Sequence, residues 1–260
     1  MIVNVHNISP SKIYSRIVSL VPSQTELLYD LGLEEEVVGI TKFCVHPTKW
    51  YRNKTRIGGT KTVKVAAIQH LKPDLIIANK EENVKEQVEE LAKNFDVLIT
   101  DVNNLTGALD MISDIGILVG KTKEALRMTN TIEINFHKLQ DLPTFKRNIK
   151  TAYLIWKDPL MVAGGNTFIN DMMRYCGLDN IFSSRDRYPE TTLEELSINC
   201  ELILLSSEPY PFKEKHIKQM EAHVPGVKIK LVDGEMFSWY GSRLLKATGY
   251  LKDLAIKLAD

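Results

Sequence analysis

The chain alternates short β-branched or leucine-rich runs with stretches whose apolar residues recur at helical spacing. RIVSLV, Arg16 to Val21, reads as a strand ended by Pro22. A helix follows, with Leu27, Leu28 and Leu31 on one face and Gly32 as its stop. Ser23 and Glu26 have the spacing of a capping box at its start. Val37 to Ile40 is the next apolar run. Val65 to Leu71 reads as a helix, KPDLIIA as a buried strand, Glu82 to Asn94 as a charged helix and DVLITD as another strand.

The same order returns in the second half. TAYLIW, from Thr151 to Trp156, is a strand, and Asn166 to Tyr175 a helix stopped by Gly177. Thr192 to Ile198 is helical, CELILLSS a strand, Lys213 to His223 a charged helix and VKIKLVD a strand. Between the halves, Leu109 to Val119 suggests a helix ended by Gly120. A second helix, capped by Thr122, runs to about Gln140, with Pro143 beyond it. At 1.5 Å per residue it spans about 28 Å, which makes it a strut and not a flexible linker.

Apolar strands alternating with helices predict α/β lobes with parallel central sheets and helices on both faces. The expected division is an N-terminal lobe over 1–120, a connecting helix over 121–143 and a C-terminal lobe over 144–260, with a ligand cleft between two Rossmann-like lobes. Parallel sheets bind ligands outside the carboxyl ends of their strands, so the loops there are where function is sought. All three tryptophans, Trp50, Trp156 and Trp239, fall in those loops. Phe43, Tyr210, Phe212, Phe237 and Tyr240 join them. Aromatics there offer large rigid surface to a ligand at low entropy cost, or else pack the lobes together or anchor the loops.

Composition narrows the partners. The 260 residues carry 33 Lys and Arg against 33 Asp and Glu. That balance argues against nucleic acid and anionic membranes as partners. Three cysteines, Cys44, Cys176 and Cys200, with no CxxC, argue against a disulfide framework or structural zinc. The first residues, broken by Asn4, His6, Asn7, Ser9 and Ser11, do not read as a secretory signal. No apolar run is long enough to span a bilayer. As written, the chain is expected in the cytoplasm, unless a leader has been removed.

No catalytic motif is visible, and no intrinsic cofactor is expected. The glycine pair of AGGN, Ala163 to Asn166, could offer amides to an anion, or be a tight turn. Cys44 and His46 are the sharpest chemical feature, since thiolate and neutral imidazole both ligate soft metals. They are either capping groups for a metal already held by an organic macrocycle or a buried thiol and a hydrogen-bonded histidine. The other histidines, His216 among them, and the pair Glu81 and Glu82 read as solvated.

RIVSLVPSQTELLYDLGLEEEVVGIT, KPDLII, AGGNTFINDMMRYCGLDNIF and the closing WYGSR resemble the helical-backbone substrate-binding proteins of ABC importers. The resemblance covers about Arg16 to Leu258 and is nearest to the cobalamin branch. It implies two lobes on one long helix with little domain closure, and a corrinoid or other metal chelate held against aromatic residues. By position it implies ligand contact from Pro22, Phe43, Trp156, Tyr188, Phe237 and Trp239; the strand-end loops add Ser23, Gln24, Cys44 and His46 to the candidate contacts. His46 is the candidate axial ligand to the chelate's metal. The family docks on its permease through one acidic residue per lobe. Glu194 or Glu195 fits that place in the second lobe, while Ala66 stands there in the first. The resemblance implies a periplasmic or extracytoplasmic monomer serving an importer. The alternatives are a haem or iron–siderophore binder, or a cytoplasmic tetrapyrrole-handling enzyme on the same scaffold.

Overall fold

A computed structural model describes residues 1–3, 12–143 and 148–258. His6 and the polar residues that interrupt the N-terminus lie outside the described residues, as does the expected 143/144 boundary on its C-terminal side. The chain divides into two compact units. Unit 1 is Met1–Val102, Thr106–Thr131 and Tyr240–Arg243; unit 2 is Asn103–Leu105, Ile132–Trp239 and Leu244–Asp260. The contiguous division expected from sequence therefore gives way to an interleaved one. The connecting helix is not a unit of its own, and a four-residue segment near the C-terminus packs with unit 1.

In unit 1 the order is β1 (Ile2–Val3), β2 (Ile17–Ser19), α1 (Pro22–Asp30), β3 (Val37–Ile40), α2 (Thr48–Asn53), β4 (Thr55–Arg56), α3 (Val65–Leu71), β5 (Leu75–Asn79), α4 (Lys85–Ala92) and β6 (Asp96–Thr100). The helices α5 (Leu105–Leu118) and α6 (Thr122–Gln140) follow, with Leu105 and the part of α6 from Ile132 on belonging to unit 2. The sheet order is β1-β6-β5-β2-β3-β4, and every pairing is parallel. The central strand β5 is buried along its whole length, as a strand covered on both faces must be. Val18, Ile76, Ala78 and Val97 pack beneath Ile68 of α3 and Val88 and Leu91 of α4.

Unit 2 contains β7 (Ile149–Trp156), β8 (Met161–Val162), α7 (Phe168–Arg174), β9 (Leu178–Asn180), α8 (Leu193–Asn199), β10 (Leu202–Ser206), α9 (Glu214–Glu221), β11 (Lys228–Val232), α10 (Glu235–Ser238) and α11 (Leu244–Lys257). Its parallel strands run β11-β10-β7-β9, the order that β6-β5-β2-β3 takes in unit 1. The repeat read from sequence is thus a repeat of topology. The short β8 is an antiparallel addition to β7. Gly32 and Gly177 follow α1 and α7 at φ +83° and +69°, the left-handed cap that suits glycine.

Local departures have local causes. α1 has no capping box: Val21 is its N-cap without a side-chain bond, and Pro22 takes the first helical position. The carboxylate of Glu26 instead meets the Arg243 guanidinium at 2.8 Å, both side chains 7% exposed. A buried cation holds a carboxylate more strongly than one backbone amide does. α4 starts at Lys85, later than expected, because Asn79 Oδ1 accepts the amides of Glu81 and Glu82 and holds them in a turn. α7 is capped by Thr167, whose hydroxyl accepts from the Asn170 amide at 3.2 Å.

His216 is buried, not solvated. Its Nδ1 accepts the Lys213 amide at 2.9 Å at the start of α9. Burial, then the charges of Lys215, Lys157 and Lys213, holds its pKa below the ordinary value. The neutral ring is favoured in the fold, so its contribution is present above the unfolded pKa of about 6.5 and lost as pH falls through the lowered folded value. Acidification is expected to lower the urea midpoint of unit 2, followed through its Trp156 and Trp239 fluorescence in a Trp50→Phe chain. His216→Gln, which keeps an acceptor, should flatten that slope; an unchanged slope would assign the acid sensitivity to another group.

Candidate functional site

At the carboxyl ends of the strands of unit 1, a polar network is buried under the loops. Gln24 Nε2 donates to Thr100 Oγ1 at 2.6 Å, and Asn79 Nδ2 reaches the same hydroxyl at 3.1 Å. Asn83 Oδ1 accepts the Asn79 amide at 2.8 Å and its Nδ2 donates to Thr60 O at 3.1 Å. Gln24 Oε1 is buried with no hydrogen-bond partner among the described residues. That leaves one acceptor for a bound donor such as water.

Several residues expected to touch ligand lie deeper than expected. Cys44 is wholly buried, between the hydroxyls of Thr25 and Thr41, each 3.1 Å from its sulfur. Burial pushes its thiol pKa up, which disfavours the thiolate that metal ligation needs. The thiol therefore belongs to the core of unit 1 and does not share an exposed face with His46, which is half-buried. Ser23 and Gln24 are buried within α1, and only Pro22 at its first turn is partly open. Phe43 is half exposed, with the Lys42 ammonium 5.0 Å from its ring centroid. Trp50, counted among the loop aromatics, is core: it sits on α2, fully buried against Tyr29 at 5.3 Å. Among the described residues, no group of three or more histidines, cysteines or carboxylates is placed to hold a metal.

Glu82 also departs from its solvated reading. It sits partly buried in the loop after β5, and burial raises its pKa against the opposing charge of Lys61. Periodicity places it on a polar helix face; the Asn79 turn takes it off the helix.

In unit 2, Trp156 ends β7 and keeps 39% of its surface exposed. It meets Tyr210 edge-on at 5.7 Å, and Tyr210 in turn packs on Phe212 at 4.7 Å. The indole N–H of Trp156 donates to Asp158 O at 3.1 Å, which fixes the ring. Tyr188 is partly buried in the loop before α8. Phe237 is fully buried, packed on Tyr153 at 5.0 Å and Tyr250 at 6.3 Å, so it supports the site from beneath and presents no wall. Trp239 is buried as well, and its indole N–H donates to Glu208 Oε1 at 2.9 Å. Ser238 Oγ donates to the same oxygen at 2.6 Å. A pocket of about 500 Å³ opens beside this carboxylate at the ends of β10 and β11, lined by Ser207, Glu208, Leu231, Val232, Asp233 and Glu235. Neither Glu208 nor this pocket was foreseen; a lone glutamate before a proline gives no periodic signal.

The glycine pair is explained without an anion. Gly164 N donates to Arg187 O at 2.8 Å and Gly165 N to Arg185 O at 2.6 Å, so both amides are spent on the 183–187 segment. A Cβ at either glycine would lie 2.3 Å from a carbonyl oxygen of that segment. Of the two carboxylates expected to meet a permease, Glu195 is held by Arg185 and by Thr191 Oγ1 at 2.8 Å, which lowers its pKa, the Arg185 bond first. Glu194 is exposed on the first turn of α8. Ala66 is exposed on α3.

Among the described residues no helix is long and apolar enough to cross a membrane. A profile described as periplasmic binding protein matches residues 17–226. A vitamin B12-binding protein of Vibrio cholerae is 27% identical over 198 residues, covering 74% of this chain and 70% of that protein. A possible iron-binding periplasmic solute-binding protein from Staphylococcus epidermidis has the same fold, with a TM-score of 0.79 and 24% identity over 96% of this chain and 100% of that one. A periplasmic heme-binding protein from Pseudomonas aeruginosa does too, with a TM-score of 0.79 and 17% identity over 92% of each chain.

Proposed function

The chain belongs to the periplasmic binding protein family, and from that premise we propose that it captures a cobalamin-like corrinoid or a related metal chelate for an ABC-type importer. The observation that carries the ligand class is the pair of exposed aromatics at strand ends, Phe43 after β3 in unit 1 and Trp156 at the end of β7 in unit 2. Large rigid aromatic surface left open at the carboxyl end of a parallel sheet suits a flat, partly apolar macrocycle. The Vibrio relative is a vitamin B12-binding protein, which puts the corrinoid ahead of haem and ferric chelates. In this reading the chain works outside the cytoplasm as a monomer, makes no enzyme's covalent change to its cargo and needs no resident cofactor. Glu194, exposed, is the carboxylate offered to a permease; Glu195 is already engaged by Arg185. His46 is the group nearest in chemistry to an axial ligand, acting alone.

The test is a visible spectrum. Protein incubated in turn with cobalamin, haem and a ferric siderophore is desalted and its absorption recorded. Retention of the corrinoid band near one equivalent is expected. His46→Ala should move that band if the imidazole reaches cobalt, and leave it in place if it does not. Retention of none of the three ligands would overturn the reading.

A further inference from the structure

The zero net charge of the chain conceals a segregation. From residue 37 to residue 73 there are eight lysines and arginines and no aspartate or glutamate. The rest of the chain is negative by the same amount. This stretch is one structural region, the β3–β4 edge of the unit 1 sheet with its flanking helices. The connection from β3 to β4 runs outward and the one from β4 to β5 runs back, so right-handed crossovers put α2 and α3 on opposite faces. The packing agrees: Trp50 of α2 lies on Tyr29 of α1, whereas Ile68 of α3 packs with Val88 and Leu91 of α4. The cations therefore wrap the edge, with Lys49 and Arg52 on α2, Arg56 on β4, and Lys61, Lys64 and Lys72 around α3. All six are exposed.

Part of this charge is answered at its ends. Lys49 pairs with Glu34 at 3.0 Å, Lys54 bonds the Glu34 carbonyl near the carboxylates of Glu34 and Glu36, and Lys61 bonds the Glu81 carbonyl and faces Glu82. Asp74, the next acid in sequence, is occupied by the Ser15 and Arg16 amides. Arg56 lies over the Tyr51 ring. The side chains of Arg52, Lys64 and Lys72 make no hydrogen bond or ion pair among the described residues. Blunting an edge strand against pairing concerns β4 itself, which carries only Arg56 of the set.

We propose that this edge docks the protein on an anionic lipid bilayer. Six of the eight cations are lysines, compact hydrated charges that suit a fluid layer of headgroups. Recognition of fixed carboxylates or phosphates favours the arginine fork. A charge set spread round a sheet edge and onto the helices of both faces matches a continuous negative surface. The attraction is local, acting within a Debye length of about 8–10 Å, so a neutral total does not cancel it. The proposal does not rest on the identity of the cargo.

The test is co-sedimentation with vesicles of phosphatidylcholine alone and of phosphatidylcholine with phosphatidylglycerol. Binding is expected only to the anionic vesicles and should vanish at about 1 M salt, where the Debye length falls to about 3 Å. The variant Arg52→Glu, Lys64→Glu, Lys72→Glu changes exposed side chains only. At roughly 1 kcal/mol per basic residue near such a surface, it should bind about a hundredfold more weakly or worse, with an unchanged circular dichroism spectrum. Three results would overturn the proposal. They are no binding to anionic vesicles at low salt, equal binding by the triple variant, and tighter binding to duplex DNA or polyglutamate than to vesicles.

Discussion

Arg243→Met is expected to lower the stability of unit 1 by about 3–5 kcal/mol, the largest single effect foreseen for this chain. The residue lies on Tyr240–Arg243, the segment that returns to unit 1 after most of unit 2 has been built. Its Nε donates to Glu26 Oε2 at 2.8 Å. Gly241, at φ +117°, brings the backbone against α1, where an added Cβ would sit 3.4 Å from Ser23 O and Leu27 Cβ. Removing the guanidinium leaves the Glu26 carboxylate in a site it cannot leave. The damage comes from that stranded charge more than from the lost bond. Glu26→Gln combined with Arg243→Met should therefore recover most of the loss. The measurement is urea unfolding followed by Trp50, in a background carrying Trp156→Phe and Trp239→Phe so that only unit 1 reports. A single-variant loss under about 1 kcal/mol would mean that the pair behaves as a solvated one.

Trp156→Ala is expected to weaken binding of cobalamin about thirtyfold, the equivalent of about 2 kcal/mol for a large aromatic anchor. Its stability should hardly change, because the ring is partly open and rests on Tyr210 by one edge. Trp239→Ala tests something different. That indole is buried and bonded to Glu208, so its loss should cost stability along with any affinity. Calorimetric titration of the two variants, with their melting points, separates the cases. Unchanged affinity in Trp156→Ala would remove this residue from the ligand surface and weaken the aromatic argument for a macrocyclic cargo.

Much of the scaffold was legible because its signals are local. The strands β5 and β10 are unbroken apolar runs, since both faces of a parallel strand are covered. The two caps at Gly32 and Gly177 follow from a backbone conformation few other residues adopt. α6 ends near the predicted residues because Gly120 and Pro143 bracket a nineteen-residue helical pattern. Repetition of these local signals exposed the shared succession of elements in the two halves, while the shared strand order came from the sheets themselves. β1 was not read as a strand: two residues carry too little periodicity, and its partner β6 is more than ninety residues away.

The site was legible as a set of loops and not as a set of surfaces. Loop position follows from strand ends, which the sequence marks; side-chain depth follows from what arrives from elsewhere in the chain. Cys44 looks like a ligand until Thr25 and Thr41 close over its sulfur. Glu26 looks like a helix cap until Arg243, 217 residues on, comes within 2.8 Å. Gly164 and Gly165 look like an anion nest until the 183–187 carbonyls take their amides. The sequence by itself determined the α/β repeat, the nineteen-residue helix α6, and the gathering of aromatics near strand ends, because those depend on neighbours a few residues apart. Only the tertiary structure decided which of those aromatics stay open and which carboxylates are already paired. Those outcomes depend on contacts between residues far apart in sequence, which no local pattern encodes.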